Sequence, residues 1–180
     1  MNNIYYFIRH AHSSYTPDEI NRPLSDKGQA SLAQLEFLTD KSIAAIYSSP
    51  YRRAIQTVEP LAQSLKLAIQ TDKRLIERKL SSQAIADPDF EQCLMKLWSQ
   101  PTFSLVDGES NQQAQQRALA LLHELESKHQ NEEIIISSHG NLICILLSAF
   151  DSSIDYDFWR SLSMPDVLVL GKDEKITRLL

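Results

Sequence analysis

Apolar and polar positions alternate along this chain in blocks that read as strand, then helix, from one end to the other. Residues 4–8 (IYYFI) form a run of β-branched and aromatic side chains typical of a buried strand, and the run breaks at RHAHSSYTPD. From Ser25, a helix-capping residue type, Leu32, Leu35 and Leu38 recur on one face of an expected helix. Residues 43–49 (IAAIYSS) read as a second strand. Pro50 stands at the expected first turn of the next helix, which Ile55, Val58, Ala62 and Leu65 continue. LAIQTD (67–72) is a third strand signal, followed by a less regular stretch over 78–107 and a helix over about 110–129. EEIIISSHG (132–140) is a fourth strand whose unbroken Ile run implies burial on both faces. NLICILLSAF behind it reads as a buried helix, and VLVLGKDEKITRLL as a closing hairpin. Strands alternating with helices predict an α/β layered fold with a mostly parallel sheet.

The strand ends carry the chemistry. In a parallel sheet Arg9 and His10, Ser48 and Ser49 with Arg53 one turn further, and Ser138 with His139 all fall on the carboxyl edge, where open α/β sheets bind ligands. Two arginines and two histidines gathered there form a local cationic pocket, flanked by two expected helix N-termini, and such a pocket suits a phosphate. The chain as a whole is acidic, with 18 Lys and Arg against 23 Asp and Glu and a formal charge of −5, so no footprint for nucleic acid or an anionic membrane surface is expected.

Arginine offers phosphate oxygens a planar, permanently charged fork, and a neutral imidazole, with an ordinary pKa of about 6.5, can attack phosphorus. A departing alkoxide needs a proton, and Glu77 in RLIERKL is the best-placed carboxyl to give it, ahead of Glu109 and Asp107. The bland reading of Glu77 is a surface carboxylate paired with Arg74 or Arg78. His12 is read as a rim residue, Arg52 as solvated, His123 and His129 as surface, and Trp98 and Trp159 as packing anchors.

These residues stand in blocks that resemble the histidine phosphatase superfamily, with its phosphoglycerate mutase-like fold. Arg9-His10-Ala11 resembles its Arg-His-Gly opening, SPYRRAIQT its Ser-Pro-x-x-Arg-Ala-x-Gln-Thr block, LIE its Leu-x-Glu, and SHG its final Ser-His-Gly. RPLSDKGQA and the Gly-Glu-Ser at 108–110 resemble minor features of the family. The resemblance implies a three-layer α/β/α sandwich, single-domain over 1–180, with a short cap-like insertion at about 78–107. It implies His10 as the phosphorylated nucleophile, Arg9, Arg53 and His139 as holders of the phosphoryl group, and Glu77 as acid and later base, with no metal and no cofactor. Thr16 stands where many branches place an asparagine on the phosphate and is expected to substitute for it. Ala11 replaces the usual Gly, which costs little where φ is negative, and the frequent Gly-x-Trp-Glu-Gly after the acid is absent.

The expected activity is phosphomonoester hydrolysis on a small phosphorylated molecule or a phosphoprotein. The alternatives are a phosphohistidine protein phosphatase, a phosphoglycerate mutase, and a catalytically weak phosphate-binding module. A rival from another class takes His10 and His12 as metal ligands of a barrel hydrolase, but such a barrel needs about 250 residues. Two cysteines, Cys93 and Cys144, in helical surroundings fit a reduced compartment, and no apolar run approaches the roughly 20 residues of a spanning helix. The expected location is the cytoplasm, as a monomer or homodimer.

Overall fold

The first strand, β1 (Ile4–Arg9), sets up the layers, because its side chains alternate between two hydrophobic clusters. Tyr5 and Phe7 join one cluster, Tyr6 and Ile8 the other. The computed structural model describes residues 1–82 and 87–180. Strands β2 (Ile43–Ser48), β3 (Ile69–Thr71) and β4 (Glu133–Ser138) run parallel to β1. The last two, β5 (Asp166–Leu170) and β6 (Ile176–Arg178), form the expected hairpin, with β5 antiparallel to β1. The strand order is β3-β2-β4-β1-β5-β6.

On the face reached by Tyr6 and Ile8 lie α1 (Asp26–Ser31), a 3₁₀ helix over Leu32–Asp40, and α2 (Arg52–Leu65). On the opposite face α4 (Asn111–Lys128) covers α5 (Gly140–Leu147), every residue of which is buried. The Ile run of β4 divides accordingly, Ile134 and Ile136 to one cluster and Ile135 to the other. The result is a six-stranded sheet flanked by helices, as the alternation of elements implies.

Two expectations are corrected in detail. The helix expected from Ser25 through Leu38 is α-helical only to Ser31, then tightens to 3₁₀. Leu32, Leu35 and Leu38 recur every three residues, and a 3₁₀ helix eclipses positions i and i+3, so that spacing lines up better at 3.0 residues per turn than at 3.6. Pro50 lies outside α2, because Tyr51 is the extended N-cap and the helix starts at Arg52. The stretch over 78–107 contains α3 (Asp87–Ser99), and residues 83–86 of the expected cap-like insertion lie outside the described residues. A short helix α6 (Tyr156–Ser161) precedes β5. Among the described residues no helix is long and apolar enough to cross a membrane.

Candidate active site

Strands β2, β4 and β1 are neighbours, so their carboxyl ends are held side by side. The His10 amide donates to Ser138 O (3.0 Å) and the Ser49 amide to Ser137 O (2.9 Å), which carries the sheet pairing past the last strand residues. His10 follows Ile8 by two positions and so faces α2, where Arg53 projects from the first turn. Arg53 Nε donates to His10 Nε2 at 3.2 Å, and Arg53 Nη2 to His139 Nδ1 at 3.3 Å. The two imidazoles meet edge to face with centroids 5.2 Å apart. Thr57, one turn after Arg53, braces the arrangement: its hydroxyl accepts from the Ala11 amide (3.0 Å) and donates to Arg53 O (2.7 Å).

The tautomer of His10 follows from its partners. Nδ1 lies 2.8 Å from Ala11 O, which only accepts, so Nδ1 carries the proton and Nε2 presents its lone pair toward the guanidinium. Burial lowers the His10 pKa to about 3, helped by Arg53, Arg9 and Arg22, so the ring is neutral at ordinary pH. His139 is fully buried and is pushed well below 6.5, first by burial and then by His10 and Arg53. Its Nδ1 accepts from Arg53, so Nε2 bears the hydrogen and donates to Ser49 Oγ at 2.9 Å. Tyr51 packs edge-on against His139 at 5.1 Å, with the Arg53 guanidinium 5.0 Å from the Tyr51 ring centre.

A cavity of about 390 Å³ opens in front of this cluster, lined by His10, Arg53, Glu77, Glu19, Arg22 and Arg78 among others. Glu77 accepts hydrogen bonds from the amides of Arg78 (2.8 Å) and Leu142 (3.1 Å), both on Oε1. The second bond caps the first turn of α5, whose own N-cap His139 makes no side-chain cap. Burial raises the Glu77 pKa against these amides and against Arg78 and Arg53, so the carboxyl holds a proton above the usual carboxylate range. Arg78 is only 3% exposed, and its Nε and Nη1 have no protein partner.

The sequence profile of the histidine phosphatase superfamily (branch 1) matches residues 5–170. The chain belongs to that superfamily. It is 27% identical to "Putative phosphoserine phosphatase 2" of Hydrogenobacter thermophilus over 157 residues, 78% of this chain and 77% of that protein. The native structure of mycobacterial glucosyl-3-phosphoglycerate phosphatase is similar in fold, with a TM-score of 0.77 at 21% identity over 92% of this chain and 88% of that one. Bacillus stearothermophilus YhfR is similar at a TM-score of 0.79 and 23% identity, over 99% and 96% of the two chains.

Within the histidine phosphatase frame, His10, Arg53, His139 and Glu77 converge. Of the expected site residues, Arg9, Thr16 and His139 are not among those lining the cavity, and His139 is fully buried behind Arg53 and Ser49. Arg9, alternate to His10 on β1, is half-buried on the other face, with Nη1 donating to Leu162 O (2.8 Å). Gly140 leaves it room, since a Cβ there would meet Arg9 Nε at 2.7 Å. Thr16 spends its hydroxyl on Asp18 O (3.1 Å). Ala11 is absent from the left-handed residues Lys66, Asp107, Asn131 and Glu174, so it fits where the family has Gly. His12 hydrogen-bonds Ser25 Oγ (2.7 Å), the cap of α1, rather than sharing a ligand with His10. Arg52 is exposed, as expected, while Arg74 pairs with Asp72 and Glu124, not Glu77. Glu109 is held by Arg117 (2.6 Å) and Asp107 accepts from Ser82, and neither lines the cavity, whose two carboxyl groups are Glu19 and Glu77. His129 is not a surface residue: Tyr47 and Glu132 clamp its ring.

Sequence reasoning missed Glu19 and Arg22. The Glu19 carboxylate bridges Arg53 Nη2 and Arg22 Nη1, each at 3.1 Å, while its carbonyl accepts from Arg53 Nη1 at 2.7 Å. The family-like RPLSDKGQA segment was the available signal for Arg22, and nothing in PDEINR marks Glu19.

Proposed function

We propose that this protein is a metal-independent phosphomonoester hydrolase that works through a phosphohistidine on His10, with Glu77 as proton donor. The observation that carries the reading is the hydrogen bond from His10 Nδ1 to Ala11 O, which leaves Nε2 unprotonated 3.2 Å from Arg53. A phosphoryl group brought into the cavity would displace the Glu19 carboxylate from Arg53 and Arg22 and take both guanidiniums onto its oxygens. Arg9, His139 and Thr16, none of which lines the cavity, are assigned to the phosphoryl-holding set in this proposal on the family resemblance alone.

In the first step the Nε2 lone pair forms an N–P bond as the P–O bond to the leaving group breaks. The departing oxygen takes the proton of Glu77. In the second, water gives a proton to the Glu77 carboxylate while its oxygen attacks phosphorus; the N–P bond breaks and phosphate leaves with His10 neutral again. Arginines offset the charge on the equatorial oxygens throughout, the role that metal ions fill in other phosphoryl-transfer sites.

The substrate class we propose is a small phosphorylated molecule, in keeping with the phosphatase names of the relatives. A test is hydrolysis of p-nitrophenyl phosphate by wild type and His10→Ala, with and without EDTA. We expect chelator-resistant turnover that falls to background in the variant. Turnover that EDTA abolishes, or that survives the variant, overturns the mechanism; an inactive wild type that still binds vanadate points to the binding-module alternative.

A further inference from the structure

A second cavity, also about 390 Å³, lies between the end of α3, the start of α4, the end of α5 and the segment leading into α6. It shares no lining residue with the catalytic cavity. Its walls are Trp98, Pro101, Ile145 and Ile154 on the apolar side, and Asn111, Gln112, Ser152 and Asp155 among the polar groups. The frame is tied by hydrogen bonds: Gln112 N donates to Pro101 O (2.8 Å), and Gln115 Nε2 donates to Ile145 O (2.7 Å) and Ser148 Oγ (3.1 Å). Trp98 is further fixed by stacking on Trp159, with centroids 6.4 Å apart and planes at 22°.

Two of the residues lining this cavity each carry a buried polar atom with no partner, the Trp98 indole Nε1 and the Asn111 carboxamide Oδ1. Asn111 is only 6% exposed, so its orphaned oxygen is costly to leave unmet. One atom is a donor and the other an acceptor. An anion can only accept and an ammonium can only donate, whereas a hydroxyl does both at once. Among the described residues no Lys or Arg lines the cavity, and Asp155 is its one acid, which further disfavours an anion. The volume falls in the range of small-molecule sites, about 300–1,000 Å³.

We propose that this cavity binds a neutral, polyhydroxylated ligand, whose C–H face rests on Trp98 and the isoleucines while its hydroxyls accept from Trp98 Nε1 and donate to Asn111 Oδ1 and Asp155. The site is separate from the phosphate-binding one, and its occupancy does not depend on the activity proposed above.

The chain contains only two tryptophans, Trp98 and Trp159, so its ¹⁵N-correlation spectrum has two indole N–H signals and both report on this region. The experiment titrates the wild-type protein with D-glucose and with glycerol, and in parallel with sodium phosphate. The expected result is a saturable shift of the Trp98 indole signal with a polyol and none with phosphate; tighter binding of glucose assigns a ring sugar, tighter binding of glycerol an open-chain polyol. Asn111→Leu should weaken binding about tenfold, the equivalent of one hydrogen bond. Trp98→Phe, which keeps an aromatic face and removes the N–H, should do the same when read through Trp159, and it carries the test if Asn111→Leu does not fold. No saturable shift with either polyol, an equal shift with phosphate, or unchanged affinity in the folded variants overturns the proposal.

Discussion

Two of the cavities among the described residues are equal in size, about 390 Å³ each, and differ in chemistry. One is lined by Arg22, Arg53, Arg78 and Lys79 and sits on the carboxyl ends of parallel strands. The other, among the described residues, has Asp155 as its one charged residue and sits between helices. The difference teaches that the charge of this protein is distributed by site rather than by surface. A chain of net charge −5 concentrates cations where three strand ends meet and keeps them out of a second hollow.

The largest effect expected on that contrast comes from Arg53→Ala. It removes the group that joins His10, His139 and Glu19, so turnover should fall by about 10²–10³ and phosphate or vanadate should bind more weakly, as steady-state kinetics and inhibition constants would show. The polyol response at Trp98 should be unchanged.

Glu77→Gln should follow, with a loss of about 10² on alkyl phosphates and far less on aryl phosphates, whose leaving groups need little protonation. Its pH profile sharpens the point. His10, its pKa lowered by burial to about 3, stays neutral through the mildly acidic range. Activity of the wild type should therefore hold in acid and decline as pH rises through the elevated Glu77 pKa. Glu77→Gln should lose that declining limb on aryl phosphates. Stability responds with the opposite slopes for the two groups. Between pH 6.5 and about 3 the unfolded state protonates His10 while the folded state does not, so that contribution to stability is lost on acidification. Glu77 keeps its proton in the folded state above the ordinary carboxylate pKa, so its contribution weakens as pH rises.

Glu19→Gln has a smaller expected effect and an opposite sign. The carboxylate competes with phosphate for Arg22 and Arg53, but its side chain is 53% exposed, and exposed ion pairs contribute only about 0.2–1 kcal/mol. Phosphate inhibition should tighten by up to about fivefold, measured by competition at constant ionic strength. Smallest of all, Trp98→Phe should leave p-nitrophenyl phosphate turnover within error of the wild type; a marked loss would mean that the two cavities are coupled.

How much of this was legible in the sequence depends on how local the determinant is. His10, Arg53 and His139 each end or follow an apolar run by a few residues, so reading the strands located them at one sheet edge. Thr57 and Glu77 came with short motifs attached to the same elements. Glu19 and Arg22 did not, because their position depends on a loop whose ends are pinned by a single bridge between Ser13 and Leu24 and by the Leu24 amide on Gln56. Arg9 illustrates a different gap: adjacency to His10 in sequence places its side chain on the opposite face of the strand. Arg78 reads as a counter-ion for Glu77, yet tertiary packing buries it on the cavity wall with donors unused. The second cavity draws its walls from four separate segments, and no local pattern announces it.

The placement of the reactive groups also determines how they can be lost. β4 and β1, which end at Ser138 and Arg9, are the two innermost strands of the six, each hydrogen-bonded on both edges. Backbone opening in such strands requires disrupting the cooperative centre of the fold, whereas the loop bearing Glu19 can open locally. Amides at the base of His10 and His139 are therefore expected to exchange slowest, and those of the segment bearing Glu19 faster, as hydrogen exchange would show. On that argument the strand ends holding His10 and His139 should persist for as long as the native state does, while the Glu19 carboxylate seated on Arg53 should come and go on a shorter clock.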